Sequence, residues 1–196
     1  MCKTILVANM KGGIGKTTIS FNLANNIAKN AKVAILDFDL QGSLTQIKDL
    51  VTNFDIIPYV KDLSKIKDLN YDCLFIDSPP YLTDQLAELI NIADLIIIPT
   101  KPGILDLLAI DSTMKLIESQ NKYNQSLIVF NMVKPNTTLT KDILKGLEEY
   151  PVNIASTMIS DLVVFTRSVL INGVESSNKA QRQLDNLTRE VLIKLI

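Results

Sequence analysis

Ile5-Leu6-Val7-Ala8, then Lys11-Gly12-Gly13-Ile14-Gly15-Lys16-Thr17-Thr18, then Ile19-Ser20-Phe21-Asn22-Leu23-Ala24-Asn25-Asn26-Ile27-Ala28: these three stretches in this order decide the fold. An apolar run of strand length enters a glycine-rich loop, and apolar residues at helical spacing leave it. A phosphate-binding loop requires this strand–loop–helix order. Glycines let backbone N–H groups turn inward around an anion without a Cβ in the way. The helix N-terminus adds its positive dipole end and unpaired donors. Lys16 is placed to reach the β- and γ-phosphates of a nucleotide, and the Thr17 hydroxyl to ligate Mg²⁺.

The loop departs from the generic pattern at one place. Met10 stands five positions before Gly15, where glycine is usual, and a second lysine, Lys11, opens the loop instead. This resembles the deviant Walker A loop, K-G-G-x-G-K-[ST]-[ST], of the ParA/MinD family of ATPases. The resemblance implies a P-loop NTPase of the deviant Walker A class that uses ATP and Mg²⁺. Lys11, Gly12, Gly13, Ile14, Gly15, Lys16, Thr17 and Thr18 would then form the nucleotide loop. It further implies that Lys11 reaches across a homodimer to the other subunit's phosphates.

Composition sets outer bounds. The 196 residues suit one α/β domain with a sizeable core, and an apolar fraction of 47% belongs to a globular chain. No apolar run approaches the ~20 residues that span a bilayer. The first strand begins almost at once, leaving no room for a signal peptide, so a cytoplasmic protein is expected. There is no histidine, which excludes histidine acid–base chemistry and metal ligation. Cys2 and Cys73 are the two cysteines; Cys73 lies in an apolar run and reads as a buried thiol. With a net charge of −1, any nucleic-acid binding must come from a local patch.

Apolar runs of strand length recur at 4–9, 33–37, 73–77, 95–99, 127–131 and 153–159. Continuous apolar strands indicate a sheet covered on both faces, hence mostly parallel. Leu107, Ile110, Met114 and Ile117 repeat at helical spacing, as do Leu184, Leu187, Val191 and Leu195. The expectation is a doubly wound α/β fold with helices on both faces and ligands beyond the carboxyl ends of the strands. The segment 51–70 is the least readable, with a short strand near Ile56-Ile57.

Two further stretches carry chemistry. Asp37 and Asp39 follow a buried strand, where carboxylates are costly unless a cation or hydrogen bonds offset them. Strand alternation puts both on one side, toward the Mg²⁺–phosphate region. The segment resembles the family's D-x-D-P-Q-G-[SN], which implies Asp37 in the metal region and Asp39 orienting the attacking water. Leu40 stands where that motif has proline, which alters loop stiffness and not chemistry. The third stretch, Leu74-Phe75-Ile76-Asp77-Ser78-Pro79-Pro80, ends a buried strand in a carboxylate able to hold Mg²⁺. It resembles the family's D-x-P-P, with Pro79-Pro80 stiffening a switch loop that senses the γ-phosphate.

The resemblance continues to the end of the chain. The strand at 95–99 resembles the one that the family follows with a dimer-forming helix, and an adenine contact is implied at or near Asn131. From Ile159-Ser160-Asp161 through Glu175-Ser176-Ser177 the chain resembles the small, ParF-like plasmid partition ATPases. The expectation is one ParA-type ATPase domain over 1–196, with no added N-terminal DNA-binding domain.

The activity implied is DNA partition by a cytoplasmic, nucleoid-associated ATPase. An ATP-bound homodimer binds DNA non-specifically, and a centromere-binding ParB/ParG-like partner stimulates hydrolysis. Lys179, Arg182 and Arg189 on the last helical pattern, with Arg167, are the candidate DNA contacts. The alternatives are a MinD-like membrane ATPase, nitrogenase-reductase-like electron transfer, and a scaffold that does not hydrolyse nucleotide. Stable membrane association is not expected, because Leu192-Ile193-Lys194-Leu195-Ile196 carries one lysine and no aromatic.

Overall fold

The computed structural model describes residues 2–39, 42–64, 66–81, 84–135 and 141–196. Its strands are the apolar runs: β1 (Lys3–Val7), β2 (Val33–Asp37), β3 (Asp55–Ile57), β4 (Cys73–Asp77), β5 (Leu95–Thr100), β6 (Ser126–Phe130) and β7 (Asn153–Ile154). They form one sheet in the order β3-β2-β4-β1-β5-β6-β7, and every pairing is parallel. Residues of β2, β4, β5 and β6 are buried throughout, as a sheet covered on both faces demands.

Alternation along the strands divides the core into two layers. Ile5, Val7, Ile35, Phe75 and Ile97 face α1 (Lys16–Ile27), α5 (Val163–Arg167) and α6 (Asn178–Lys194). Leu6, Leu36, Leu74, Ile76 and Ile98 face α2 (Asp84–Ile92), α3 (Ile104–Ser119) and α4 (Lys141–Leu147). The fold is therefore doubly wound. α1 is buried on its polar side as well, because α6 and α5 pack over it: Ser20, Asn22 and Asn25 are all enclosed.

Several strand boundaries differ from the sequence reading, and β5 runs one residue further, to Thr100. β1 stops at Val7 because the Asn9 side chain turns the chain, donating to the Pro99 carbonyl (2.9 Å) and accepting from the Lys11 N–H (2.9 Å). β6 includes Ser126 and stops at Phe130. The last apolar run is a two-residue strand and not a strand over 153–159. Ala155 and Ile159 still donate to β6 carbonyls, but the backbone between them leaves the sheet. Glu190 of α6 holds it out, accepting from the Ser156 and Thr157 N–H groups and the Thr157 hydroxyl. The segment 51–70 contains β3 and a 3₁₀ turn at Ile66–Asp68, as its weak signal allowed.

With all strands parallel, their carboxyl ends share one edge. Val7, Asp37 and Asp77 stand side by side there in register. β1 has β4 on one side and β5 on the other, so the loop leaving β1 opens where the strand order reverses.

Candidate nucleotide site

The loop between β1 and α1 is shaped by two left-handed glycines. Gly13 has φ +70° and Gly15 φ +88°, conformations that disfavour any residue with a Cβ. At Gly15 a Cβ would also collide with the Asn131 side chain, whose amide nitrogen donates to the Ile14 carbonyl at 2.8 Å. α1 begins with Gly15 at its cap position and no side chain capping it. Its first N–H groups are therefore open to an anion.

A cavity of about 350 Å³ lies over this helix start. Gly12, Gly13, Gly15, Lys16, Thr17 and Thr18 line one side, and Asp39, Ser78, Pro80 and Met132 the other. Lys16 is 7% exposed, and its ammonium donates to the Lys11 carbonyl across the loop at 3.2 Å. Burial lowers its pKa, while Asp77 and Asp39 act in the opposite sense. A buried cation aimed into a glycine cradle is suited to a phosphate chain.

Behind the cavity stands a wall of carboxylates. Asp77 accepts from the Thr17 hydroxyl at 2.6 Å and from the Ser20 hydroxyl at 3.0 Å. Burial is the main reason that its pKa is pushed up to about 6, with Asp37 adding to the rise. Asp37 binds Thr45 through one oxygen, which accepts from the Thr45 N–H and hydroxyl, both at 2.8 Å. Its other oxygen, Oδ1, is buried without a partner. An orphaned carboxylate oxygen beside a second carboxylate and a threonine hydroxyl fits a Mg²⁺ site, which draws its remaining ligands from water and phosphate. Among the described residues no cluster of three acidic, cysteine or histidine side chains forms an all-protein metal cage. Bound there, Mg²⁺ would neutralise charge on the phosphates, with Thr17, Asp77 and Asp37 holding it.

The structure brings together most of the residues singled out in the sequence, with differences in detail. Asp39 does line the cavity, but not through strand alternation: β2 ends at Asp37, so Asp39 lies beyond the strand, where its carbonyl accepts from the Gly42 N–H at 2.8 Å. Leu40 and Gln41 lie outside the described residues. Ile14 is 1% exposed and packs beneath the loop. Asn131 is a buried brace for the loop and borders a small recess with Asp161 and Phe165, adjoining the main cavity at Thr18 and Met132. Lys11 does not line the cavity. Its ammonium pairs with Asp106 on α3 at 2.7 Å.

Lys179, Arg182 and Arg189 are exposed along one face of α6, and Arg167 is exposed at the end of α5, well apart in sequence from the loop. Cys2 and Cys73 are buried free thiols, and burial pushes the Cys73 pKa up to about 12. No described helix is long and apolar enough to cross a membrane.

Sequence reasoning missed four supports of the site: Asn9, Ser20, Thr45 and Asp106. Ser20 had a signal, since it lies three residues after Thr17 on the same helix face. Asn9 combines a local turn, accepting from the Lys11 N–H two residues on, with a distant bond to Pro99, whereas Thr45 and Asp106 act through the folded chain and leave no local pattern.

The sequence profile of the CobQ/CobB/MinD/ParA nucleotide-binding domain matches residues 5–169. The maintenance of carboxysome distribution protein A of Halothiobacillus neapolitanus is 32% identical over 185 residues, covering 87% of this chain and 85% of that protein. Among solved structures, a Borrelia burgdorferi B31 protein named for plasmid partition and bound to AMPPNP superposes with a TM-score of 0.78 at 20% identity, over the whole of both chains. The Aquifex aeolicus cell division protein MinD superposes with a TM-score of 0.79 at 20% identity, over 97% of this chain and 96% of that one.

Proposed function

The chain belongs to the CobQ/CobB/MinD/ParA family of nucleotide-binding domains and is an ATPase of the ParA/MinD type, and from that premise we propose that it is a DNA partition ATPase. Residues 1–196 act as one ATPase domain in the cytoplasm, on the nucleoid. MgATP occupies the cavity, two copies close face to face, and the closed dimer binds DNA without sequence preference. A centromere-binding partner of the ParB/ParG kind stimulates hydrolysis and releases the DNA.

Hydrolysis here needs no covalent help from the protein, only positioning and charge stabilisation. Lys16 and the loop amides hold the phosphates, Thr17, Asp77 and Asp37 hold Mg²⁺, and Asp39 orients the attacking water. Lys11 supplies a cation to the partner copy's phosphates, a device worth about 10³–10⁵ in rate where it has been measured.

The observation that carries this reading is the pair of lysines at the two ends of one loop. Lys16 is buried at the cavity, whereas Lys11 stands at its rim with 34% of its side chain exposed. Beside Lys11 lies an exposed apolar turn, Ile104, Leu105 and Leu108, each more than 60% exposed. A second copy docked on that turn would cover it and meet Lys11.

The test is sedimentation of the purified protein with ATP or ADP, together with turnover measured with DNA and a candidate partner. An ATP-dependent dimer, retention of DNA by that dimer and partner-stimulated turnover are expected, and Lys11→Ala should lose both dimer and turnover. A chain that stays monomeric with ATP while turning it over would refute the reading.

A second reading keeps the chemistry and changes the cargo. The 32% identity to a protein named for carboxysome distribution favours a protein body over a plasmid as the object distributed. Loss of plasmid from growing cells on deletion supports partition; clustering of a protein body without plasmid loss supports the second reading. Pelleting with lipid vesicles only when ATP is present would instead favour a membrane-positioned ATPase.

A further inference from the structure

We propose that Asp106 parks Lys11 in cis, so that two copies close only when this carboxylate gives up the lysine to the phosphates of the facing copy. The inference rests on the reading that Lys11 acts in trans, and makes Asp106 a positioning residue that sets the threshold for closure.

Lys11 is held at both ends. Its backbone N–H donates to Asn9 Oδ1, which fixes the root of the side chain. Its ammonium lies 2.7 Å from Asp106 Oδ1 and 3.5 Å from the Leu105 carbonyl. Both partners belong to the first turn of α3, so the amine points at that helix start and not at the cavity. The carboxylate is itself placed: α3 starts from an extended Gly103 with no side-chain cap, and the other oxygen, Oδ2, lies back over it. A Cβ on Gly103 would come within 2.7 Å of that Oδ2. An acidic side chain in the first turn is also favoured by the helix dipole, which holds it where Lys11 finds it.

A second contact ties the same helix to the same loop. The Met10 N–H donates to Thr113 Oγ1 at 3.2 Å, seven residues further along α3. The loop's entry is therefore referenced to α3 at two points two turns apart, one neutral and buried, the other ionic and accessible. Thr113 is fully buried, whereas the Lys11 and Asp106 side chains are 34% and 15% exposed. Only the ionic contact can exchange without disturbing the core.

The exchange is local to the docking surface. Leu105 and Asp106 are neighbours, and Ile104, Leu105 and Leu108 form the exposed apolar turn around the pair. A copy arriving on this turn removes water from an ion pair already made and brings phosphate charge to compete for the same ammonium. A triphosphate carries more negative charge than a carboxylate, so it wins the lysine, whereas a diphosphate competes less strongly.

The experiment compares wild type, Asp106→Asn and Asp106→Glu. An exposed pair of this kind is worth about a two- to five-fold factor per copy, hence about a four- to twenty-five-fold factor in the dimer dissociation constant. Sedimentation with ATP should show dimer formation at that much lower protein concentration in Asp106→Asn, and close to wild type in Asp106→Glu. Labelling of the Lys11 amine by a small amine-reactive ester in the nucleotide-free protein, read by mass spectrometry, should be about two- to five-fold faster in Asp106→Asn. A purely structural role for Asp106 would not speed that labelling. An unchanged or higher dimer midpoint in Asp106→Asn overturns the inference, whether or not labelling changes. If Lys11→Ala dimerises like wild type, the trans reading itself has failed; if it does not, the failure belongs to Asp106 alone. Should Asp106→Asn not fold, wild-type labelling in rising NaCl replaces it: pairing predicts protection that salt removes, and salt-independent labelling overturns it.

Discussion

The two ends of the nucleotide loop are built on different principles. At its helix end, Lys16, Ser20, Asp77 and Asp37 are buried, and the Thr17 and Ser20 hydroxyls donate to Asp77 at the end of a fully enclosed strand. At its strand end, Lys11 reaches a partly exposed carboxylate on a helix with a solvent-exposed apolar turn. Burial strengthens electrostatic interactions and makes unpaired groups expensive, so the helix end holds one arrangement. Partial exposure weakens an ion pair to the point where a competitor can replace it. One end is a fixed receptor and the other a contact that can be exchanged, which suits a site completed by a second copy.

The fixed end should fail outright when its cation is removed. Lys16→Ala deletes a buried charge directed at phosphate, and truncating one partner of such a pair costs about 2–5 kcal/mol, or about 30- to several-thousand-fold in affinity. Titration with a fluorescent ATP analogue reads this directly. Unchanged affinity would mean that phosphate is held elsewhere.

Asp39 separates holding from reacting. It lines the cavity opposite the loop, so Asp39→Ala should leave binding intact while turnover falls by about 10²–10⁴-fold, the range of general-base and water-positioning losses. The ATP dimer should then persist in light scattering. Wild-type turnover in this variant would assign the water to another residue.

Asp77 sets stability against chemistry. Its pKa in the folded chain is about 6, raised from 3.8, so its neutral form is favoured by folding. A raised folded pKa gives stability that is fully present below the unfolded value and lost as pH rises through the folded one. The Mg²⁺-free protein should therefore lose about 3 kcal/mol between pH 3 and pH 7 through this group, taking 1.36 kcal/mol per pKa unit. Asp77→Asn should melt higher than wild type at pH 7.5 without Mg²⁺ and flatten that dependence, since the new amide can still meet Thr17 and Ser20. Its Mg²⁺-dependent turnover should fall by about 10- to 100-fold or more. A variant no more stable than wild type at pH 7.5 would show that the buried charge is already compensated.

The same contrast explains what could be read from the sequence. Asp37 and Asp77 end continuous apolar strands, and the glycines sit between a strand and a helix; both signals are local and dictated by backbone chemistry. The parallel sheet was legible because its strands have no polar face. Thr45 and Asp106 were not, because each acquires its partner only once the chain is folded. Lys11 and Asp106 are 95 positions apart, and nothing near either announces the other. The strand over 153–159 was misread for the same reason: its apolar content was right, but Glu190, far along the chain, takes the N–H groups that a ladder needs.

The smallest expected effect lies far from the loop, on α6. Lys179, Arg182 and Arg189 are exposed, and positions three and seven apart share one helical face. Two acidic residues of the same helix, Asp185 and Glu190, have partners of their own. Asp185 accepts from Asn26 and Gln181, and Glu190 is engaged by the Ser156–Thr157 turn. If it contacts phosphates in the ATP dimer, the logarithm of DNA affinity should fall with the logarithm of salt by about 0.9 per contact. Arg182→Ala with Arg189→Ala removes two contacts per copy, so the slope should shrink and binding weaken equally for any sequence. The core should be untouched, because both side chains lie in solvent. A double variant that still dimerises with ATP, yet keeps wild-type DNA affinity and salt slope, would place the DNA surface away from α6.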